Sequence, residues 1–295
     1  MKLLLTGCNG QLGFELQRSL APLAEVIAIG RDDCDLSDES ALRSLIREIT
    51  PDGIINPAAY TAVDKAESDP GSARKINCDA PRIMGEEASA CGAFVFHYST
   101  DYVFEGVGKQ FYKETDATNP QNVYGQTKLA GERALLSACK RSLIMRTSWV
   151  VGAHGANFAK TMLKLASERD ALSVVADQFG APTSAALLAD ITAQLIGRIK
   201  HQVDETFPYG LYHVVAAGVT NWHEYARFVI AEAIKAGKAM KVSADMVKPI
   251  TTSDYPVPAK RPANSRLDTT LFQDTFDLRL PDWKQGVSHV LQQIL

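Results

Sequence analysis

Residues 2–13, KLLLTGCNGQLG, constrain the fold of this chain more than any other stretch. Three consecutive leucines run straight into Gly7, Gly10 and Gly13, and the amphipathic segment Phe14 to Leu20 follows. An apolar run, a glycine loop and a helix in that order form a strand–turn–helix unit. Its glycines permit a tight turn and let backbone approach a pyrophosphate, whose charge sits at the helix N-terminus. A three-glycine match alone is weak, but in this context it points to a dinucleotide, with Gly7, Gly10, Gln11, Leu12 and Gly13 as the contact residues.

The same rhythm continues. Val26–Ile29, Ile54–Ile55, Ala93–His97 and Leu143–Thr147 are short apolar runs, separated by helical patterns at Ala41–Ile49 and around Ala73–Ala90. Short continuous apolar runs between helices predict a parallel sheet covered on both faces. Right-handed crossovers make that an α/β, Rossmann-type doubly wound sheet over residues 1–150. Beyond residue 150 prolines break the chain into shorter pieces, with helical patterns at Asn157–Arg169, Ala185–Ile199 and Trp222–Ala236. Residues 151–295 are therefore expected to supply mainly a smaller α/β substrate lobe, with later segments able to return to the first sheet.

Composition excludes several classes of function. A net charge of −3 leaves no basic footprint for nucleic acid. The leucines of MKLLLTGCNG are too few for a signal-peptide core, and no later apolar run approaches the roughly 18 residues of a membrane span. Five scattered cysteines without a C-x-x-C pair read as reduced thiols of a cytoplasmic protein. The six histidines show no ligand spacing, so no protein-built metal site is expected.

The second strand refines the cofactor. It ends Ala28-Ile29-Gly30-Arg31, with no acid at its tip to accept from a ribose 2′-hydroxyl. Arg31 favours the 2′-phosphate of NADPH, with NADH as the weaker choice. Asp35 and Leu36 lie where an adenine could be contacted. Ala58, Ala59, Tyr60 and Thr61, past the third strand, could line the cofactor.

Thr100 continues the fourth apolar run into the carboxyl end of the sheet, where open α/β folds bind ligands. Tyr124 and Lys128 follow, four residues apart on a helical pattern and so on one face. These words, with GCNGQLGFELQ, AAYTAVDKAE, HYSTDYVFEG, NVYGQTKLAGE, RTSWVVG, DQFGAPT and RPANSRLD, give a chain that resembles the extended short-chain dehydrogenase/reductases. Within them it is similar, over essentially its full length, to the dTDP-4-dehydrorhamnose reductases. The resemblance implies NADPH-dependent reduction of the C4 ketone of a dTDP-4-keto-6-deoxy sugar to dTDP-L-rhamnose. It also implies a cofactor contact at Tyr98 and sugar contacts at Asp101, Tyr102 and Trp149. Arg261 and Arg266 are candidates for the nucleotide diphosphate. The family's magnesium site is not expected, because Ala186, Gln292 and Gln293 stand where carboxylates would be needed beside Glu15. The expected assembly is a monomer or weak homodimer.

The chemistry has its own physical terms. A reduced ketone leaves an alkoxide that needs a positioned acid. Tyr124 would supply the proton if its pKa fell from about 10 toward neutrality, a differential of roughly 4 kcal/mol. An ammonium about 4 Å away, at an effective dielectric near 20, is worth about 4 kcal/mol. Lys128 is thus expected to tune Tyr124 and hold the nicotinamide ribose, while Thr100 polarises the carbonyl oxygen. The sugar dehydratases carry an acidic pair after this Thr. Here Asp101 is followed by Tyr102, which favours simple reduction. Two alternatives share the fold: another nucleotide-sugar reductase or epimerase-reductase, and a non-catalytic NADP-binding regulatory subunit.

Overall fold

The computed structural model describes residues 1–201 and 206–295. In its first half strands are separated by helices: β1 (Lys2–Leu5), α1 (Gln11–Leu20), β2 (Glu25–Ala28), α2 (Glu39–Ile49), β3 (Gly53–Asn56), α3 (Val63–Ser68), α4 (Pro70–Arg74), α5 (Ala80–Cys91), β4 (Phe94–Thr100), α6 (Val123–Ala138) and β5 (Ser142–Thr147). The second half has shorter strands: β6 (Val150–Val151), α7 (Phe158–Glu168), β7 (Leu172–Val175), β8 (Phe179–Gly180), β9 (Thr183–Ser184), α8 (Ala185–His201), β10 (Gly210–His213), β11 (Thr220–Asn221), α9 (Trp222–Lys235), β12 (Val247–Ile250), α10 (Thr270–Phe276) and α11 (Trp283–Ile294).

Six of these strands form one sheet in the order β10-β5-β4-β3-β1-β2, and every neighbouring pair is parallel. Side chains alternate across it, as the pleat requires. Leu3, Leu5, Phe96 and Met145 pack with Leu16 of α1 and Leu188 and Leu195 of α8. Leu4, Ile54, Val95 and Ile144 pack on the other face with Leu42 of α2, Ile83 of α5 and Leu135 of α6. Burial on both faces is why these strands read as unbroken apolar runs. A separate core joins α7, β7, α9 and α11 through Met162, Val174, Tyr225, Val229 and Trp283. Strand β10 and helix α8 belong to the large sheet, so the later chain does return to it.

The strand order reverses between β1 and β3. The chain leaves β1 to one side for β2 and then crosses to the other side for β3. Such a switch point opens a crevice at the carboxyl ends of the strands. Helix α6 is brought to that crevice by its start. Asn122 Oδ1 accepts from the Gly125 N–H at 2.8 Å and Glu67 Oε1 accepts from the Val123 N–H at 2.8 Å, so two otherwise unsatisfied donors of the first turn are met.

The helical region read around residues 73–90 is continuous over 70–91 and changes pitch within it. A π-helical turn, Lys75–Asp79, separates α4 from α5. The wider turn carries Asn77, whose carboxamide bonds both the N–H and the C=O of Tyr60 and reaches the Thr127 hydroxyl on α6. π-Turns inside helices often mark functional sites, and this one braces a loop that borders the crevice.

Candidate active site

The glycine loop is shaped as a cradle. Gly7 has φ +58°, a conformation that L side chains rarely adopt, and a Cβ on Gly13 would fall 2.0 Å from the Gly7 carbonyl oxygen. Only glycine permits α1 to start this close to the loop. No side chain caps α1 and no acid sits in its first turn, so its N-terminal N–H groups and partial positive charge are available to an anion. Gly13→Ala is therefore expected to weaken NADPH binding about ten- to a hundredfold, from roughly 1–3 kcal/mol of overpacking. Fluorescence titration with NADPH checks this.

Beside the loop lies a cavity of about 240 Å³. Of the residues read as cofactor contacts, Gly7, Arg31, Asp35, Leu36, Ala58, Ala59 and Tyr60 line it, and so do Ile29, Gly30, Cys34 and Ile76, which were not read as contacts. Thr61 is not among the lining residues. Arg31 is 84% exposed and pairs with Asp35 at 3.6 Å. The neighbouring acid Asp33 is engaged elsewhere, accepting from the Gly30 N–H at 2.7 Å. An exposed guanidinium, glycines and an uncapped helix start fit a phosphorylated dinucleotide. The side chains of Gln11 and Leu12 face the protein: Gln11 Oε1 accepts from the Gly152 N–H at 2.8 Å, and Leu12 is in the core.

Tyr98, for which the resemblance implies a cofactor contact, lies near the end of β4. Its phenol turns into the core and pairs with Thr192 on α8 at 2.6 Å, because on the pleat it shares a face with Phe96. Only its carbonyl reaches the site, accepting from Lys128 Nζ at 2.6 Å.

Thr100, Tyr124 and Lys128 meet at the end of β4. Lys128 is buried, with its ammonium on the Tyr98 carbonyl and the His97 ring. Burial lowers its pKa to about 8, against a smaller upward pull from Glu132. The Tyr124 phenol is pushed up to about 12: burial raises it, Thr100 lowers it by a hydrogen bond, and Asp101 raises it. Tyr102 stacks edge-on against the Tyr124 ring at 5.5 Å. A Cβ on Gly125 would fall 2.2 Å from the Tyr102 carbonyl oxygen, so the glycine beside Tyr124 lets that turn close on α6.

The expected shift of Tyr124 toward neutrality is therefore not the one found. The cation is committed to partners of its own, and desolvation of the phenol opposes ionisation. The phenol is held as an acid. An ammonium is required beside it for the role proposed, and Lys128 loses its proton as pH rises through its depressed pKa. The value of kcat/KM, which reports free-enzyme ionisations, is accordingly expected to fall as pH rises through about 8. A profile flat well above that pH would remove Lys128 from this role.

Asp101 is fully buried and its carboxyl is raised to about 6, chiefly by that burial. Its Oδ1 accepts from the Thr100 hydroxyl at 3.1 Å, while its Oδ2 has no partner among the described residues. Ser265 is its neighbour and lines a second cavity of about 450 Å³ with Gln110, Phe111, Lys113 and Arg266. Arg266 lies over the Phe179 ring at 4.5 Å. Arg261 is elsewhere: Nη2 pairs with Asp64 at 2.6 Å and ties the 258–262 loop to α3. The structure thus brings Arg266, not Arg261, to this cavity. Trp149, just past β5 at φ +50°, stacks flat on Trp222 at 3.7 Å, so one face of its ring is already taken.

Glu15 and Asp190 both reach Arg18, at 3.3 and 3.2 Å. Among the described residues no group of three or more His, Cys, Asp or Glu side chains is placed to hold a metal ion, and no helix is long and apolar enough to cross a membrane.

A glycine cradle at a switch point, with a Thr, Tyr and Lys gathered at the end of β4 in the same sheet, defines an α/β oxidoreductase of the extended short-chain type. The family described as RmlD substrate binding domain matches residues 1–295. The dTDP-4-dehydrorhamnose reductases of Salmonella typhimurium and Burkholderia thailandensis are 51% and 43% identical, each over all of this chain and 98% and 99% of the relative. Among solved structures, a dTDP-4-dehydrorhamnose reductase from Clostridium acetobutylicum superposes with a TM-score of 0.90 at 36% identity, over 99% of each chain. The Bacillus anthracis enzyme in complex with NADP has a TM-score of 0.89 at 34% identity, again over 99% of each chain. The chain belongs to the dTDP-4-dehydrorhamnose reductase family.

Proposed function

We propose that this chain catalyses the NADPH-dependent reduction of the C4 ketone of dTDP-4-dehydro-6-deoxy-L-mannose to dTDP-L-rhamnose, the last step of dTDP-rhamnose synthesis. The observation that carries this is the gathering of Thr100, a protonated Tyr124 and Lys128 at one strand end, beside a loop built for a dinucleotide. Relatives at 43–51% identity bear the name of that activity.

What a bound reduced nicotinamide supplies is the hydride. The protein's residues handle the oxygen. Thr100 donates its hydroxyl proton to Asp101, and turning that donor to the ketone oxygen would polarise it. Tyr124 would then give its proton to the new alkoxide, a stronger base than a phenolate even at the raised pKa. Lys128 would stabilise the phenolate left behind. The 450 Å³ cavity, with Lys113 and Arg266 on its wall, suits the nucleotide diphosphate.

Loss of NADPH absorbance on addition of the dTDP-4-keto sugar, with rhamnose identified in the product, tests the assignment. Turnover of a GDP-sugar in its place would favour another nucleotide-sugar reductase, and no turnover with tight NADPH binding would favour a regulatory subunit. Arg31→Ala is expected to raise KM for NADPH about ten- to a hundredfold, the worth of one charge-assisted hydrogen bond. KM for NADH and the maximal rate should barely change, and steady-state kinetics with both cofactors reads the difference.

A further inference from the structure

Beneath Lys128 the site continues into polar side chains that the reaction above does not use. His97, on β4, places Nε2 3.2 Å from Lys128 Nζ. Its Nδ1 lies 3.1 Å from Asn56 Nδ2 on β3, and Asn56 Oδ1 accepts from the hydroxyl of Thr6, just past β1, at 2.7 Å. Thr6, Asn56, His97 and Lys128 are each at most 1% exposed, so the row crosses three strands out of reach of water.

Proton counting constrains this row. A neutral imidazole has one N–H and one lone pair, and an ammonium can only donate. If Asn56 Nδ2 donates to Nδ1, the ring proton must sit on Nε2 and point at Lys128, which suits an amine and opposes an ammonium. Half a turn of the amide reverses every bond. Oδ1 then accepts from Nδ1–H, Nδ2 donates to Thr6 Oγ1, and Nε2 offers its lone pair to the ammonium. The same atoms therefore make two rows of opposite polarity, one for each charge state of Lys128.

Few other groups compete for that charge. The Tyr98 carbonyl accepts from Lys128, and Glu132, one turn along α6, is held by Arg146 of β5 in a two-pronged pair at 2.9 and 2.7 Å. Burial holds His97 well below its ordinary pKa, with Lys128 adding to the effect, so the ring is neutral and free to accept.

We propose that His97 is a positioning residue for Lys128: fixed by Asn56 as the Nδ1–H tautomer, it accepts from the ammonium at Nε2 and keeps the cation in place and charged. This rests on the reading of Lys128 as the cation of the reductase centre.

Two measurements test it. In protein labelled with ¹⁵N in the histidine rings, near neutral pH and without cofactor, His97 should carry its proton on Nδ1 and leave Nε2 bare. The signal is identified by its loss in His97→Gln. An Nε2–H tautomer under those conditions overturns the proposal. In steady-state assays of the reductase, His97→Leu should move the alkaline limb of kcat/KM down by about one to two pH units, the worth of one charge-assisted hydrogen bond. His97→Gln, which keeps an acceptor oxygen, should return the limb toward the parent position. An unmoved limb in folded His97→Leu overturns the proposal, and the tautomer measurement decides the matter should that variant fail to fold. Failure of the functional reading looks different: the Nδ1–H tautomer would stand in a protein that reduces no nucleotide-sugar ketone.

Discussion

Tyr124→Phe is expected to lower kcat about 10²- to 10⁴-fold, the usual contribution of a positioned general acid, with NADPH affinity nearly unchanged. The substitution removes one oxygen from a ring packed edge-on against Tyr102, so the site should keep its shape. The phenol's other near neighbours, Thr100 and Asp101, would retain their mutual hydrogen bond. Single-turnover kinetics separates the chemical step from binding. Retained turnover would take Tyr124 out of the role of proton donor and leave Asp101, a buried acid beside Thr100, as the group to examine.

Arg146→Met is expected to destabilise the fold by about 3–5 kcal/mol, because it leaves a buried carboxylate without its counter-ion. Arg146 and Glu132 have side chains 4% and 2% exposed and join β5 to α6. The arginine also lies over the Phe104 ring at 5.0 Å. The double variant Glu132→Leu/Arg146→Met should recover most of the loss, since a buried apolar pair of similar volume is often no worse than a buried ion pair. Urea denaturation of the two variants measures both values. Equal loss in the single and double variants would show that packing, rather than the stranded charge, sets the cost. The effect should also reach the site. Glu132 already pulls the Lys128 pKa upward, and freeing its carboxylate should move the alkaline limb of kcat/KM to higher pH.

Much of the fold was legible from periodicity. β5 was read at Leu143–Thr147 and spans Ser142–Thr147, and the helical pattern at Asn157–Arg169 became α7, Phe158–Glu168. Such segments are local: a short apolar run or a helical stripe carries its own signal. The π-turn inside the helical region around residues 73–90 was not legible, because it serves a distant contact, Asn77 with Tyr60 and Thr127, that no local pattern announces. The direction of the Tyr98 phenol was hidden for the same reason. Which side of β4 faces the crevice depends on what packs against each face, and α8, nearly a hundred residues away, claims the tyrosine.

By itself the chain's order of residues determined the glycine cradle, the helical spacing of Tyr124 and Lys128, and the placement of Thr100 at a strand end, because each follows from local geometry. Tertiary structure alone decided the protonation of the site. Lys128 is depressed, Asp101 raised and Tyr124 kept protonated by desolvation and by partners drawn from separate strands and helices. Loss of water is a property of the assembled crevice, and no short stretch of residues carries it.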